Sequence, residues 1–323
     1  MLFVVSHSIR KPTHLYSGMI ITLTLSPVLD KSATVPLLEP EKKLRCTEVV
    51  TLPGGGGINV SRGIHELGGD TCAIFPYGGP AGDALLAEMQ KTGIPFRAVR
   101  SEAATRESFN VLDQSTRRQY RFVHPAQPLE RHVLEQLLLW DQLGTARHLV
   151  VSGGLPPGLP QGYLGRLVQQ GHRQGLRVVA DCSGPGLSEL LQAGIFLVKP
   201  SLSELASMIG EPALELSDVQ DAARAVLRKY PVDALVVSLG AAGVVLATKE
   251  SSRQFAAPVV EAKSTVGAGD SLVAGIVWKL EEGADLEHAV AFGVACGSAA
   301  TESEGSGLFA RATAWRHFLR MQP

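Results

Sequence analysis

Short apolar runs alternate along the chain with stretches in which apolar residues recur every three to four positions. The runs are "IITLTL" (20–25), "CAIFP" (72–76), "HLVVSG" (148–153), "LRVVAD" (176–181), "IFLVKP" (195–200) and "ALVVSLG" (234–240). Each of the last five stops at Gly, Pro or Asp, as a strand does at its carboxyl end. Between them lie helix-period segments: Val60, Ile64 and Leu67, then residues 160–174, then 217–229. This alternation predicts βαβ units and a mostly parallel sheet with helices on both faces, a three-layer α/β/α sandwich. Strands apolar throughout agree, since both of their faces are buried. Two regions break the rhythm. Residues 31–52, and 105–124, where "ESFNVLD" and "RQYRFVH" flank "QSTRR", read as a small β lid attached to the main domain.

Composition narrows the function classes. The chain has 323 residues, 45% hydrophobic and 19% charged, with a formal net charge of -1. That suits one large α/β domain with a substantial core. Without a dense Lys/Arg block, a nucleic-acid or membrane-surface role has no electrostatic support. Cys46, Cys72, Cys182 and Cys296 are widely spaced, which argues against a zinc site or a disulfide framework and favours a reduced, cytoplasmic setting. Residues 1–18 precede the first convincing strand and are expected to be an unstructured extension; the domain is expected to span 19–323.

In open α/β sheets ligands bind beyond the carboxyl ends of the strands, and polar residues gather there: Asp30, "SGGLPPG" (152–158), Asp181, Lys199 and "SLGAAG" (238–243). Any one of them alone reads equally as a loop or capping residue. The run "PGGGGINV" (53–60) lets a ligand approach the main chain, because glycine lacks a Cβ. Asn59 then either caps the helix that follows or bonds a ligand hydroxyl. The dinucleotide fingerprint and the G-x-x-x-x-G-K-[ST] phosphate loop are both absent.

The segment "STVGAGDS" (264–271) places small residues before an aspartate, and Val273, Ala274 and Val277 then continue on one helical face. A helix N-terminus with unobstructed N–H groups is an anion site, and phosphate is its natural guest. Asp270 there is either an ordinary cap or a base that takes the proton of an attacking hydroxyl.

These segments carry a family resemblance. "PGGGGINVSRGIHELGG" and "STVGAGDSLVAGI" resemble the two signatures of the ribokinase-like PfkB carbohydrate kinases, and motif order agrees from Met19 onward. "TLTLSPVLD", "KKLRCTEV", "YRFVHP", "SGGLPPG" and "FGVACGSAAT" are most similar to the branch that phosphorylates fructose 6-phosphate with ATP; relatives acting on fructose 1-phosphate or tagatose 6-phosphate share much of the pattern. The resemblance implies that Asp270 is the base and that the amides of Gly267, Ala268 and Gly269 form the anion hole. It implies that Asp30, Gly55, Asn59, Arg106 and Arg121 hold the sugar phosphate. Lys43, Lys199, Ser201, Ser238, Gly240, Gly243 and Ser298 would contact ATP. Glu204 would orient Mg2+-bound water, and Ser264, Val266, Ala300, Ser303, Gly305 and Gly307 would offer carbonyls to K+. One departure stands out: the family's N-x-x-E appears as Ser201-Leu202-Ser203-Glu204. A catalytically silent sugar-phosphate sensor is the competing reading from another class. A homodimer joined through the lids is the expected assembly.

Overall fold

The structure, a computed structural model, describes residues 3–4, 18–140, 146–184, 186–303 and 307–321. The first half of the chain forms β1 (Phe3–Val4), β2 (Met19–Leu23), β3 (Val28–Val35), β4 (Thr47–Gly54), α1 (Gly56–Glu66), β5 (Thr71–Tyr77), α2 (Gly79–Thr92), β6 (Phe96–Arg100), β7 (Arg106–Asp113), β8 (Arg118–Val123) and α3 (Arg131–Leu137). The second half forms β9 (Ala146–Gly154), α4 (Tyr163–Arg173), β10 (Arg177–Ser183), α5 (Leu187–Gln192), β11 (Ile195–Val198), α6 (Leu202–Ile209), α7 (Val219–Lys229), β12 (Val232–Ser238), β13 (Val244–Thr248), β14 (Ser252–Phe255), α8 (Ala268–Glu281), α9 (Leu286–Thr301) and α10 (Arg311–Met321).

Ten strands make one sheet in the order β1, β6, β5, β2, β9, β10, β11, β12, β13, β14. All neighbours from β6 to β12 run parallel, and the outer pairs β1/β6, β12/β13 and β13/β14 are antiparallel. Alternation along each strand then feeds two cores. Leu149, Val151, Val178, Ala180, Leu235 and Val237 join one with α3, α4, α5 and α7. Val150, Val179, Ala234 and Val236 join the other with α1, α8, α9 and α10. Both faces are covered, so the apolar strands expected from the sequence are those of a doubly wound α/β sandwich. From β2 the chain builds outward to β5 and β6, and later from β9 in the other direction. The carboxyl ends of β2 and β9 therefore flank a topological switch point, where such folds bind ligands.

The two rhythm-breaking regions form a second, four-stranded sheet in the order β4, β3, β7, β8. Its central pair β3/β7 is parallel and its outer pairs are antiparallel. Parallel pairing was not legible in the sequence, because β3 and β7 are joined by a long excursion through α1, β5, α2 and β6. Period-2 alternation gives this sheet an inner face with Asp30, Ser108, Asn110 and Arg121, and an outer face with Phe109, Tyr120 and Phe122. Of the expected N-terminal extension, Phe3–Val4 pairs with β6 and the Gly18 amide donates to Glu281 Oε1 at 2.9 Å; residues 1–2 and 5–17 lie outside the described residues.

Candidate active site

The site is assembled where α1, α8 and the lid meet the carboxyl ends of the central strands. α1 is pinned against the sheet by a buried hydroxyl chain, in which Ser61 Oγ lies 2.8 Å from both Thr22 Oγ1 and Thr71 Oγ1. Val60, Ile64 and Leu67 are buried, so Asn59 and Arg62, one turn apart on the opposite side, face the cleft. The helix begins at Gly56 after Gly55, whose φ of 108° favours glycine. The glycine run also serves protein packing, which the sequence reading did not include. A Cβ at Gly57 would sit 2.6 Å from Thr24 Oγ1, and Cβ atoms at Gly56 and Gly54 would collide with Ser152 Oγ and with Asp30 Oδ2. Asn59 does not cap the helix, which has no side-chain cap; its Nδ2 donates to Asp270 Oδ2 at 2.9 Å.

Asp270 is the third residue of α8, whose N-cap is Gly267 at φ 76°, again with no side-chain cap. Helix geometry leaves the amides of Gly269 and Asp270 without an intrahelical acceptor, while Ala268 N donates to Thr265 O at 3.4 Å. The amides of Gly269 and Asp270 thus stand open at the positive end of the helix, and the Asp270 side chain is not spent on closing that end. Lys199 reaches the same place: a Cβ on Gly269 would lie 3.5 Å from its Nζ.

Electrostatics set these groups apart from an ordinary surface. Asp270 is half-buried, enclosed by protein yet reached by solvent. Burial, and then the Asp181 carboxylate, push its carboxyl up to about 7, against the opposing pull of the Asn59 amide, Lys199 and Arg121. Asp30 is 4% exposed, accepts a hydrogen bond from Ser108 Oγ, and is also raised, chiefly by burial. Burial opposes the charge of Lys199, but Asp181, whose Oδ1 is 3.0 Å away, with Glu204 and Asp270 behind it, overcomes that and holds its ammonium above the usual range.

On the lid side, Arg106 donates through Nη2 to Ser26 O at 3.2 Å, and its buried Nε has no partner among the described residues. Arg121 is exposed on the inner face of β8. Both guanidinium groups act on Asp30, and Arg121 disfavours the charge of Arg106. Two mutually repelling cations beside one cleft are what a doubly charged phosphate relieves. On the other side Ser201 bridges to Ser238, whose amide donates to Pro200 O at 2.9 Å, with Gly240 and Gly243 in the turn that follows. Gly243 is fixed by packing, since a Cβ there would meet Ala257 N at 2.7 Å. Ser201 and Glu204 form a reciprocal capping box on α6: Ser201 N donates to Glu204 Oε2 at 2.7 Å, and Glu204 N to Ser201 Oγ at 3.3 Å. One Glu204 oxygen therefore remains for a metal-bound water.

The residues expected around K+ also converge. Lys263 N and Ser264 N both donate to Thr301 O, Ser303 N donates to Ala300 O at 3.1 Å, and Ser303 Oγ donates to Leu308 O at 2.6 Å. The two bonds to Thr301 O lay the 263–266 loop against the end of α9, and Val266 N donates to Ser264 Oγ at 3.2 Å within that loop; main-chain carbonyls there are the donor chemistry of an alkali cation. Gly305 lies outside the described residues. Ser298 is buried on α9, beside the anion loop: a Cβ at neighbouring Gly297 would lie 3.1 Å from Ala268 O. Lys43 is the exception. It is exposed in the loop beyond the far end of β3, away from this cluster within the protomer.

Sequence reasoning missed Arg62, Ser108, Asp181 as the partner of Lys199, and Ser152, whose buried Oγ has no partner among the described residues. The i,i+3 spacing from Asn59 was the one available signal for Arg62; Ser108 needed the β3/β7 pairing.

Residues 22–312 match the pfkB family of carbohydrate kinases. The chain is 42% identical over 294 residues to ATP-dependent 6-phosphofructokinase isozyme 2 of Escherichia coli (strain K12), covering 90% of this chain and 94% of that one. The crystal structure of the Escherichia coli phosphofructokinase-2 in complex with potassium superposes with a TM-score of 0.89 at 39% identity, covering 95% of this chain and 100% of the other. Its complex with fructose-6-phosphate superposes with a TM-score of 0.87 at 38% identity and the same coverage. The chain belongs to the pfkB family of carbohydrate kinases.

Proposed function

We propose that the protein is an ATP-dependent 6-phosphofructokinase, which transfers the γ-phosphoryl group of ATP to O1 of fructose 6-phosphate. The observation that carries this reading is Asp270, raised to about 7 and tied to Asn59, at the head of a helix with open amides, between a pair of lid arginines and Lys199. Asp270 takes the O1 proton as the new O1–P bond forms and the bond to the bridging oxygen of ADP breaks. The amides of Gly267 and Gly269 meet the charge on the moving phosphoryl group, each donor being worth about 3 kcal/mol in comparable sites; the Ala268 amide, expected to join them, is held by Thr265 O. Asp30 and Asn59 bind sugar hydroxyls, and Arg106 and Arg121 bind the 6-phosphate. Lys199 and the 238–243 turn hold the nucleotide. The free oxygen of Glu204 would hold water bound to the Mg2+ of MgATP, which would supply charge neutralisation of the phosphates, and the carbonyls of the 264–266 and 300–303 segments would hold K+.

A coupled ADP-release assay across fructose 6-phosphate, fructose 1-phosphate, tagatose 6-phosphate and unphosphorylated sugars tests the proposal. Fructose 6-phosphate should give the highest kcat/KM. A higher value for either of the other phosphates overturns the substrate assignment, and no ADP release with any sugar supports a sensor instead.

The protein is further proposed to act as a homodimer joined by the outer faces of the lids. Phe109, Tyr120 and Phe122 are 37%, 36% and 53% exposed on one side of a sheet that has little core of its own. A cytoplasmic location is proposed with it; its support is the buried free thiols of Cys72, Cys182 and Cys296.

A further inference from the structure

Arg62 has a position that the reaction described above leaves unused. Its Nη1 donates to Pro53 O at 3.1 Å and to Asn59 Oδ1 at 3.2 Å. The first bond anchors the guanidinium to the strand that leads into α1. The second decides how the Asn59 amide lies: a guanidinium can only donate, so the amide oxygen must face Arg62 and the NH2 group must face Asp270. That is the orientation seen, with Nδ2 donating to Asp270 Oδ2 at 2.9 Å. The amide occupies one carboxylate oxygen and leaves Oδ1 as the proton acceptor. Arg62 also lies within the fields of both Asp30 and Asp270, and although burial lowers its hold on the proton, the two carboxylates support it.

We propose that Arg62 is a positioning residue for phosphoryl transfer: it locks the Asn59 amide in the orientation that donates to Asp270, so that the aspartate stands with one oxygen bound and the other free for the substrate hydroxyl. The inference rests on the kinase reading for its purpose, and on the hydrogen-bond chain alone for its physical content. Without Arg62 the amide is free to turn, and a turned amide sets its oxygen against the carboxylate. The charged groups facing Asp270 from the other elements, Asp181 on β10, Lys199 after β11 and Arg121 on β8, stay in place in such a variant.

The test is the titration of the Asp270 carboxyl, followed by carbon-13 NMR of labelled aspartate and assigned with Asp270→Asn. It is paired with the pH dependence of kcat. In Arg62→Met the Asp270 midpoint should rise by about one pH unit from its value near 7, so that kcat falls about fivefold at pH 7 and recovers toward wild type as pH rises, with KM for MgATP unchanged. Arg62→Lys, which keeps the charge but not the fork, should recover part of the shift. Asn59→Ala leaves the guanidinium in place, serves if Arg62→Met does not fold, and should shift the midpoint similarly. Adding Arg62→Lys to Asn59→Ala should then change nothing more. An unmoved midpoint in the single variants, or shifts that add in the double variant, overturns the assignment. A shifted midpoint in a protein that phosphorylates no sugar phosphate would leave the positioning chain standing and sink the kinase reading instead.

Discussion

At the scale of single residues, the same burial that suits Asp270 to the proposed role of base makes it costly to the fold. Its carboxyl titrates near 7, above the ordinary value of 3.8, so between those limits the folded state holds a proton that the unfolded chain has released. Stability from this group is therefore full at low pH and declines as pH rises from about 4 to about 7, by at most ~4 kcal/mol and less where solvent reaches the cleft. Asp270→Asn should raise the melting temperature at pH 8 by roughly 2–4 °C and leave it unchanged at pH 3.5, as read by calorimetry. The same substitution should lower kcat by about 100-fold or more with MgATP binding intact. Half of wild-type turnover in that variant would remove Asp270 from the role of base. Arg106→Ala should raise KM for fructose 6-phosphate by roughly 10–100-fold, the equivalent of one lost charge-assisted phosphate contact, with little effect on KM for MgATP. Equal rises in both would point to a lid defect.

At the scale of elements, α8 works as a strut with a function at one end and an anchor at the other. Its first turn carries the anion loop. At its last turn the buried Glu281 carboxylate is held by His148 Nδ1 at 2.7 Å and by Arg147 Nε at 2.8 Å. Between them α8 lies directly on α9, where a Cβ at Gly275 would come within 2.7 Å of Cys296 Sγ and 2.9 Å of Gly293 Cα. Gly275→Val should force the helices apart and cost about 1–3 kcal/mol, visible as a lower calorimetric melting temperature; an unchanged value would mean the crossing is looser than its geometry shows. The capping box on α6 gives a second test. Asparagine caps as well as serine, so Ser201→Asn should keep α6 intact while adding a longer polar reach toward the metal-bound water. The free Mg2+ needed for half-maximal rate should fall in Ser201→Asn and rise in Glu204→Gln. If only the second variant moves, this loop orders the metal through the glutamate alone.

At the scale of the whole molecule, the lid is a small sheet that covers the cleft with its inner face and leaves its aromatic outer face to solvent. Gln119 on β8 ties it to the anion loop: its Nε2 donates to Lys263 O at 3.3 Å, and its Oε1 accepts from Ser264 Oγ at 3.2 Å. If lids pair in a dimer, Phe122→Lys should give monomers by light scattering and lower activity through a less ordered lid, whereas a fully active wild-type monomer at assay concentration would exclude the pairing.

What the sequence settled by itself was whatever depends on local pattern. The alternation of apolar runs with helical periods named the layered α/β fold, and Asp181, Lys199 and Ser238 do lie at carboxyl ends of the central strands, whereas Asp30, read as following the first strand, sits within lid strand β3. "VGAGD" before an amphipathic helix was enough to locate a helix N-terminus without a side-chain cap, because that feature lies within one turn of backbone. What only the tertiary structure decided involves partners far apart in the chain. The parallel pairing of β3 with β7 brings Ser108 to Asp30, 78 residues away. The crossing of α1 and α8 brings Asn59 to Asp270, 211 residues away. The use of Gly56 and Gly57 is set by Ser152 and Thr24, and Lys43 is left outside the cluster by the length of β3. A carboxylate acquires a midpoint near 7 only from the solvent it loses and the charges it meets, and both are fixed by packing that local pattern does not encode.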